Sequence, residues 1–212
     1  MTLSEEQKKQ LIECHDCNIN EFSLKGKEFY CKIVNVYDAD TCRAVFYLND
    51  ELVKYTIRLK GIDSPEIRPP SKDKYRKYQI EEAKKSRNRL IQLCTDCDIE
   101  VINKLSKKKL QEKIDKNNKI IRIKCEEFDK YGRLLAHLYT DYYEGPEKET
   151  VQETEKDPAQ DTTKLSLNEQ LIKEGYAYPY EGGTKRKFDY SKYVTVKETE
   201  KETVKETEKE TS

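Results

Sequence analysis

The 212-residue sequence predicts an α+β fold, and three observations predict it. Short segments rich in Val, Ile, Tyr and Phe alternate apolar and polar residues early in the chain. A longer segment with helical spacing follows them, and further strand-like segments come after it.

The elements can be justified in order. The segment up to Lys27 reads as a short, partly helical leader. Phe29 to Tyr37, Thr41 to Leu48 and Leu52 to Ile62 read as three strands of a meander, separated by turn-forming Asp38-Ala39-Asp40 and Asn49-Asp50. Pro65, Pro69 and Pro70 then break the alternation and open a Lys-rich loop. From Tyr78 to Cys94 a helix is expected, with Ile80, Ala83, Arg87, Leu90, Ile91 and Cys94 on its spacing. Strands are expected again at Ile99 to Ile102, Ile120 to Cys125 and Leu134 to Tyr139, the last two joined by a turn at Asp129-Lys130-Tyr131-Gly132. A final helix spans Leu167 to Lys173 and stops at Gly175.

Composition divides the chain. Hydrophobic residues make up 35% and charged residues 39%, too polar for all of it to be packed core. The zero net charge averages unlike parts. The stretch from Val194 to Ser212 carries −2, Glu144 to Lys164 carries −4, and the remainder therefore holds about +6, which suits a polyanionic partner. Within the tail, Val196 to Thr203 is repeated residue for residue from Val204 to Thr211, and Val151 to Lys156 echoes it. Such charged repeats bury too little surface to offset the entropy of ordering, so the acidic insertion and the tail read as disordered or marginally helical. Lys104 to Lys119 is a second insertion with a net +5, either a solvated amphipathic excursion or an extra grip on a phosphate backbone. The expected layout is a leader over 1–26, a domain over 27–190 with insertions at about 104–119 and 144–164, and a repeat tail over 191–212.

Seven cysteines, no apolar run at the start, no membrane-length apolar stretch and no lipidation signal point to an intracellular, reducing location. No feature identifies a partner protein.

Three patches carry chemistry: Asp38-Ala39-Asp40-Thr41, then Arg58-Leu59-Lys60-Gly61-Ile62-Asp63-Ser64-Pro65-Glu66, then Asp129-Lys130-Tyr131-Gly132-Arg133. Each sits at a strand end, and none contains His or Cys. Taken singly, each is an ordinary turn or cap; in this order they supply what phosphodiester hydrolysis needs. A hard divalent cation prefers oxygen ligands, which Asp40, Asp63 and the Ser64 carbonyl can provide. Glu66 can orient or deprotonate the attacking water. Arg58 and Arg133 offer planar forks that bind phosphate oxygens in pairs and stay charged. Arg58 inside an apolar strand needs an anionic partner in any case. Because Arg58 and Asp63 fall on opposite faces of a flat strand, Gly61 is expected to mark a bulge or strong twist.

From about Lys27 to Phe188 the chain resembles the staphylococcal nuclease family, whose pattern of Asp-Gly-Asp-Thr, Arg-x-x-x-x-Asp-Thr-Pro-Glu and Asp-x-Tyr-Gly-Arg it matches almost throughout. Ala39 stands where Gly is commoner, and Ser64 where Thr is. The resemblance implies a five-stranded OB-type barrel with about three helices. It implies calcium held by Asp40, Asp63 and the Ser64 carbonyl, with Asp38 and Thr41 supporting them. Glu66 would act on the water, Arg58 and Arg133 on the phosphate, and Lys130, Tyr131 and one of Tyr178 or Tyr180 would lie near the nucleotide. DNA, RNA or both would be cut to 3′-phosphorylated fragments. The alternative is a nuclease-like module that binds nucleic acid or protein without cutting. The presence of Asp40, Arg58, Asp63, Glu66 and Arg133 argues for activity.

Two Cys-x-x-Cys pairs, Cys14/Cys17 and Cys94/Cys97, could share a structural zinc; the simpler reading is incidental thiols, with Cys94 facing the core. Cys31, Cys42 and Cys125 read as small buried hydrophobes.

Overall fold

Alternating apolar residues in five strands close a barrel, because each strand presents one face to a shared interior. A computed structural model describes residues 2–140 and 165–183. Helix α1 (Glu5–Ile12) is followed by β1 (Glu28–Asp38), β2 (Thr41–Leu48), β3 (Glu51–Leu59), β4 (Ile62–Asp63), α2 (Arg76–Cys94), α3 (Ile99–Lys104) and α4 (Lys107–Lys116). The chain continues as β5 (Ile121–Phe128), β6 (Leu134–Tyr139), α5 (Leu167–Lys173) and β7 (Tyr178–Pro179). The closed barrel runs β1-β2-β3-β6-β5, all neighbours antiparallel except the β3–β6 pair, and β4 with β7 makes a separate two-stranded sheet. This is the expected OB-type order. The acidic insertion and the repeat tail lie outside the described residues.

The core holds Ile33, Phe46, Ile57, Leu59, Ile121, Ile123 and Leu134 from the strands, with Leu90, Ile91 and Cys94 of α2 and Leu171 of α5. It also takes Leu24, fully buried, from the segment read as leader. The Gly26 N–H donates to the Cys125 carbonyl at 2.8 Å, so barrel packing begins before Lys27. Helix α1 itself buries no residue and rests on its capping box, Ser4 with Gln7.

Helices number five among the described residues, rather than about three, because the segment after α2 adds two. Ile99 to Ile102, expected as a strand from its β-branched residues, is the start of α3. The Asp98 side chain accepts from the Glu100 N–H at 2.7 Å and caps a helix that buries only Ile102. A cap and one buried side chain outweigh a weak strand propensity. The basic insertion forms α4, capped by Ser106. Its Leu110 and Ile114, four residues apart, are buried, while Gln111 donates to the Val34 carbonyl at 2.8 Å and accepts from Asn35 at 2.6 Å. Lys107, Lys108, Lys109, Lys113 and Lys116 remain exposed.

Three local features set the site. In β1 the pairing slips between Ile33 and Asn35, so the buried positions change from Cys31 and Ile33 to Val36 and Asp38. Asp38 pairs with Thr41 across the two-residue turn Ala39-Asp40. Ala39 is absent from the positive-φ positions, so this turn needs no Gly. Gly61, at φ 78°, interrupts β3 before β4, as the parity of Arg58 and Asp63 required.

Candidate active site

The hairpin turn between β1 and β2 meets the β3–β4 corner at one end of the barrel. There Asp40, Arg58, Asp63 and Ser64 are all buried. Arg58 Nη1 ion-pairs with Asp40 Oδ2, and Nη2 reaches Asp63 Oδ1 at 3.2 Å, so one guanidinium bridges two carboxylates. Asp40 Oδ2 accepts from the Ser64 N–H and the Ser64 hydroxyl, each at 2.9 Å, and Oδ1 accepts from the Thr41 hydroxyl at 2.8 Å. Asp38 accepts from the Ile67 N–H at 3.2 Å, tying the loop beyond β4 to the same turn. Buried charges of this kind persist only when paired and hydrogen-bonded.

The corner is fixed from below by α5. Asn168, buried, donates to the carbonyls of Lys60 at 2.8 Å and Ala136 at 3.0 Å, and accepts from the Leu138 N–H at 3.3 Å. Its amide thereby joins the end of β3 to β6. Sequence patterning does not single out Asn168; the readable signal is an amide beside the apolar positions Leu167 and Leu171. Arg87 is legible in the sequence only by its spacing. Burial lowers its pKa while the charge of Asp38 opposes that, and its guanidinium donates to the Asn88 side-chain oxygen. A charge within the apolar stripe of α2 is the sign that points to it.

Glu66 is exposed and stands two residues beyond Ser64 in the chain. The third patch is a turn closed by Asp129: its Oδ1 accepts from the Tyr131 and Arg133 N–H groups, each at 2.9 Å, and its Oδ2 from Arg133 Nε at 2.7 Å. Burial pushes the Asp129 carboxyl up, but the Arg133 and Tyr131 N–H groups and the guanidinium outweigh it, leaving it below the ordinary 3.8. Gly132, at φ 76°, makes the turn possible. Leu135 lies opposite Arg58 in the parallel β3–β6 pair, so the strand that follows the third patch runs beside the strand that carries Arg58. Lys130 and Arg133 flank the Tyr131 ring at 5.1 and 5.6 Å, and that ring is 72% exposed. Tyr178 pairs with Asp63 through β7–β4, and the Tyr180 N–H donates to the Gly61 carbonyl at 2.9 Å, so both tyrosines border the corner.

The donor set suits a hard cation. Asp40 and Asp63 bring two carboxylates to one guanidinium, with the Ser64 hydroxyl and the Asp40 carbonyl beside them. Among the described residues no three His, Cys, Asp or Glu side chains group as a metal cage. The two Cys-x-x-Cys pairs are accordingly not gathered: Cys14 and Cys17 are exposed, Cys94 is in the core and Cys97 is half-buried. No described helix is long and apolar enough to cross a membrane.

A family model described as staphylococcal nuclease homologue matches residues 56–208, more than half of the chain. The match takes in Arg58, Asp63, Ser64, Glu66 and Arg133 but begins after Asp40, which the fold joins to them. A comparison with curated proteins finds no match.

Proposed function

The chain belongs to the staphylococcal nuclease family, and from that membership we propose that it is a calcium-dependent nuclease hydrolysing the phosphodiester backbone of DNA, RNA or both. The observation that carries the reading is the buried cluster in which Arg58 bridges Asp40 and Asp63 beside Ser64. Asp40, Asp63 and the Ser64 carbonyl would hold Ca²⁺, with Asp38 and Thr41 fixing the turn that carries Asp40. When bound, the ion would neutralise charge on the attacked phosphate.

The side chains divide the remaining work. Glu66 takes a proton from the attacking water, whose oxygen forms the new bond to phosphorus. The bond from phosphorus to the 5′ oxygen breaks, that oxygen takes up a proton from solvent and leaves as the 5′ hydroxyl of the downstream fragment, and the upstream fragment keeps the phosphate on its 3′ oxygen. Arg133 and Arg58 oppose the charge that grows on the equatorial oxygens. Tyr131, Lys130, Tyr178 and Tyr180 border the space the nucleotide would fill.

The test is incubation with plasmid DNA and with total RNA in Ca²⁺, in Mg²⁺ and in chelator, read on gels. Cleavage is expected with Ca²⁺, less with Mg²⁺, whose small octahedral shell fits such a site poorly, and none with chelator. Full activity in chelator overturns the metal assignment. Binding without cleavage in Ca²⁺ makes the chain a nuclease-like binding module.

A further inference from the structure

The outward residues of β2 and β3 form an unbroken ladder that starts at the candidate site. Thr41 lies opposite Arg58, Arg43 opposite Thr56, Val45 opposite Lys54, and Tyr47 opposite Leu52. Between these rungs Cys42, Ala44, Phe46 and Ile57 point into the core and are buried. At about 3.3 Å per residue, Tyr47 stands about 20 Å from Thr41 along the wall. The middle rungs expose the cations Arg43 and Lys54.

The far end exposes rings. Tyr47 and Leu52 are each 64% exposed. Tyr30 is 48% exposed and stands beside Tyr47, since its neighbour Cys31 pairs with Phe46. Tyr30 in turn pairs with Arg122, whose guanidinium lies 4.3 Å from the centre of the Tyr139 ring and bonds Glu28 at 2.7 Å. A groove of about 440 Å³ is lined by Glu28, Phe29, Tyr30, Tyr47 and Arg122. Exposed apolar side chains gathered beside a groove on a charged wall mark an interaction surface.

We propose that this wall is a track for single-stranded nucleic acid leading away from the catalytic cluster. Arg43 and Lys54 face backbone phosphates, and Tyr47 and Tyr30 stack against unpaired bases. Cations along a strip that ends in exposed rings are the combination that single strands need, whereas a duplex hides its base faces. The track's direction rests on the nuclease reading of the cluster; the binding surface does not.

The test uses the full chain in chelator, so that binding is read without cleavage, with fluorescence anisotropy of a labelled oligonucleotide. The double variant Y30A/Y47A should weaken single-strand binding by roughly fivefold to a hundredfold for each base that no longer stacks on a ring. Binding of the matching duplex should change little, and the single variant Y47A, at a side chain 64% exposed, should also weaken single-strand binding with melting at the parent value. R43Q/K54Q should lower the slope of log affinity against log salt by about 0.7 for each phosphate left without its cation. Parental single-strand affinity in Y30A/Y47A, an equal weakening on the duplex, or a parent chain that binds no single strand overturns the proposal. So does concentration-dependent self-association of the parent that Y30A/Y47A abolishes, which would assign the wall to a second copy. If the track is sound and only the nuclease reading fails, the parent binds single strands through these tyrosines yet cuts nothing in Ca²⁺.

Discussion

Glu66 and Arg133 divide the proposed chemistry in a way that substitution can separate. Glu66→Gln keeps size and hydrogen bonding but cannot take a proton, so turnover should fall by roughly 10²–10⁴-fold with nucleic-acid binding retained. Arg133→Ala removes a charge aimed at the transition state and should cost roughly 10²–10³-fold. Glu66 is exposed, so Glu66→Gln should melt with the parent, whereas Arg133→Ala loses the pair with Asp129 and should melt somewhat lower while remaining folded. Parental rates in both folded variants would move the chemistry elsewhere. Asp129 gives a pH-dependent test. Its carboxyl is held below the ordinary 3.8, so its ionised form contributes stability above that value and loses the contribution as pH falls through its folded value. Asp129→Asn keeps an acceptor for the two N–H groups but not the charge pair with Arg133. It should be less stable than the parent near neutrality, and the gap in urea midpoint should close in acid. A gap that is constant with pH would sink this account.

Single side chains also hold whole elements in place. Asn168→Ala would take this amide from the Lys60 carbonyl and the Leu138 N–H, while the Ala136 carbonyl keeps the Lys60 N–H at 2.9 Å. Leaving buried groups unsatisfied costs about 1–3 kcal/mol each, so a loss of at least about 2 kcal/mol by denaturant titration is expected. An unchanged midpoint would mean that water or another side chain takes its place. At the opposite end of the sequence, Leu24→Ala should cost about 2–5 kcal/mol, the range for emptying a fully buried leucine site. Deleting residues 2–21 should cost little, because α1 buries nothing. If truncation and Leu24→Ala destabilise equally, the leader packs as a unit and this division is wrong.

At the scale of the molecule, barrel closure sorts the seven cysteines. Burial raises the pKa of Cys31, Cys42, Cys94 and Cys125, that of Cys94 to about 12, while Cys14 and Cys17 stand in solvent. A disulfide-exchange reagent should therefore modify Cys14 and Cys17 promptly and half-buried Cys97 more slowly, with the other four reacting only on unfolding. Rapid labelling of all seven in the native state would show that the barrel opens readily.

The sequence by itself determined the strands of the barrel, the two helices of clearest period and the three patches of acids and arginines. Those features are local: alternation, turn residues and helical spacing act over a few positions and can be read without neighbours. It also foretold, from parity alone, that Gly61 must break β3 if Arg58 and Asp63 were to meet. Tertiary structure decided what depends on distant residues. A cap at Asp98 and a buried Ile102 made α3 of a segment that favoured a strand. The slip in β1 set which side Asp38 occupies, and Asn168, more than 100 positions from Lys60 in sequence, holds the corner in place. Lying side by side in the barrel, β2 and β3 turned four separate pairs of residues into one wall. Register, burial and long-range hydrogen bonds come into being only when the chain closes on itself, and no run of neighbouring residues records them.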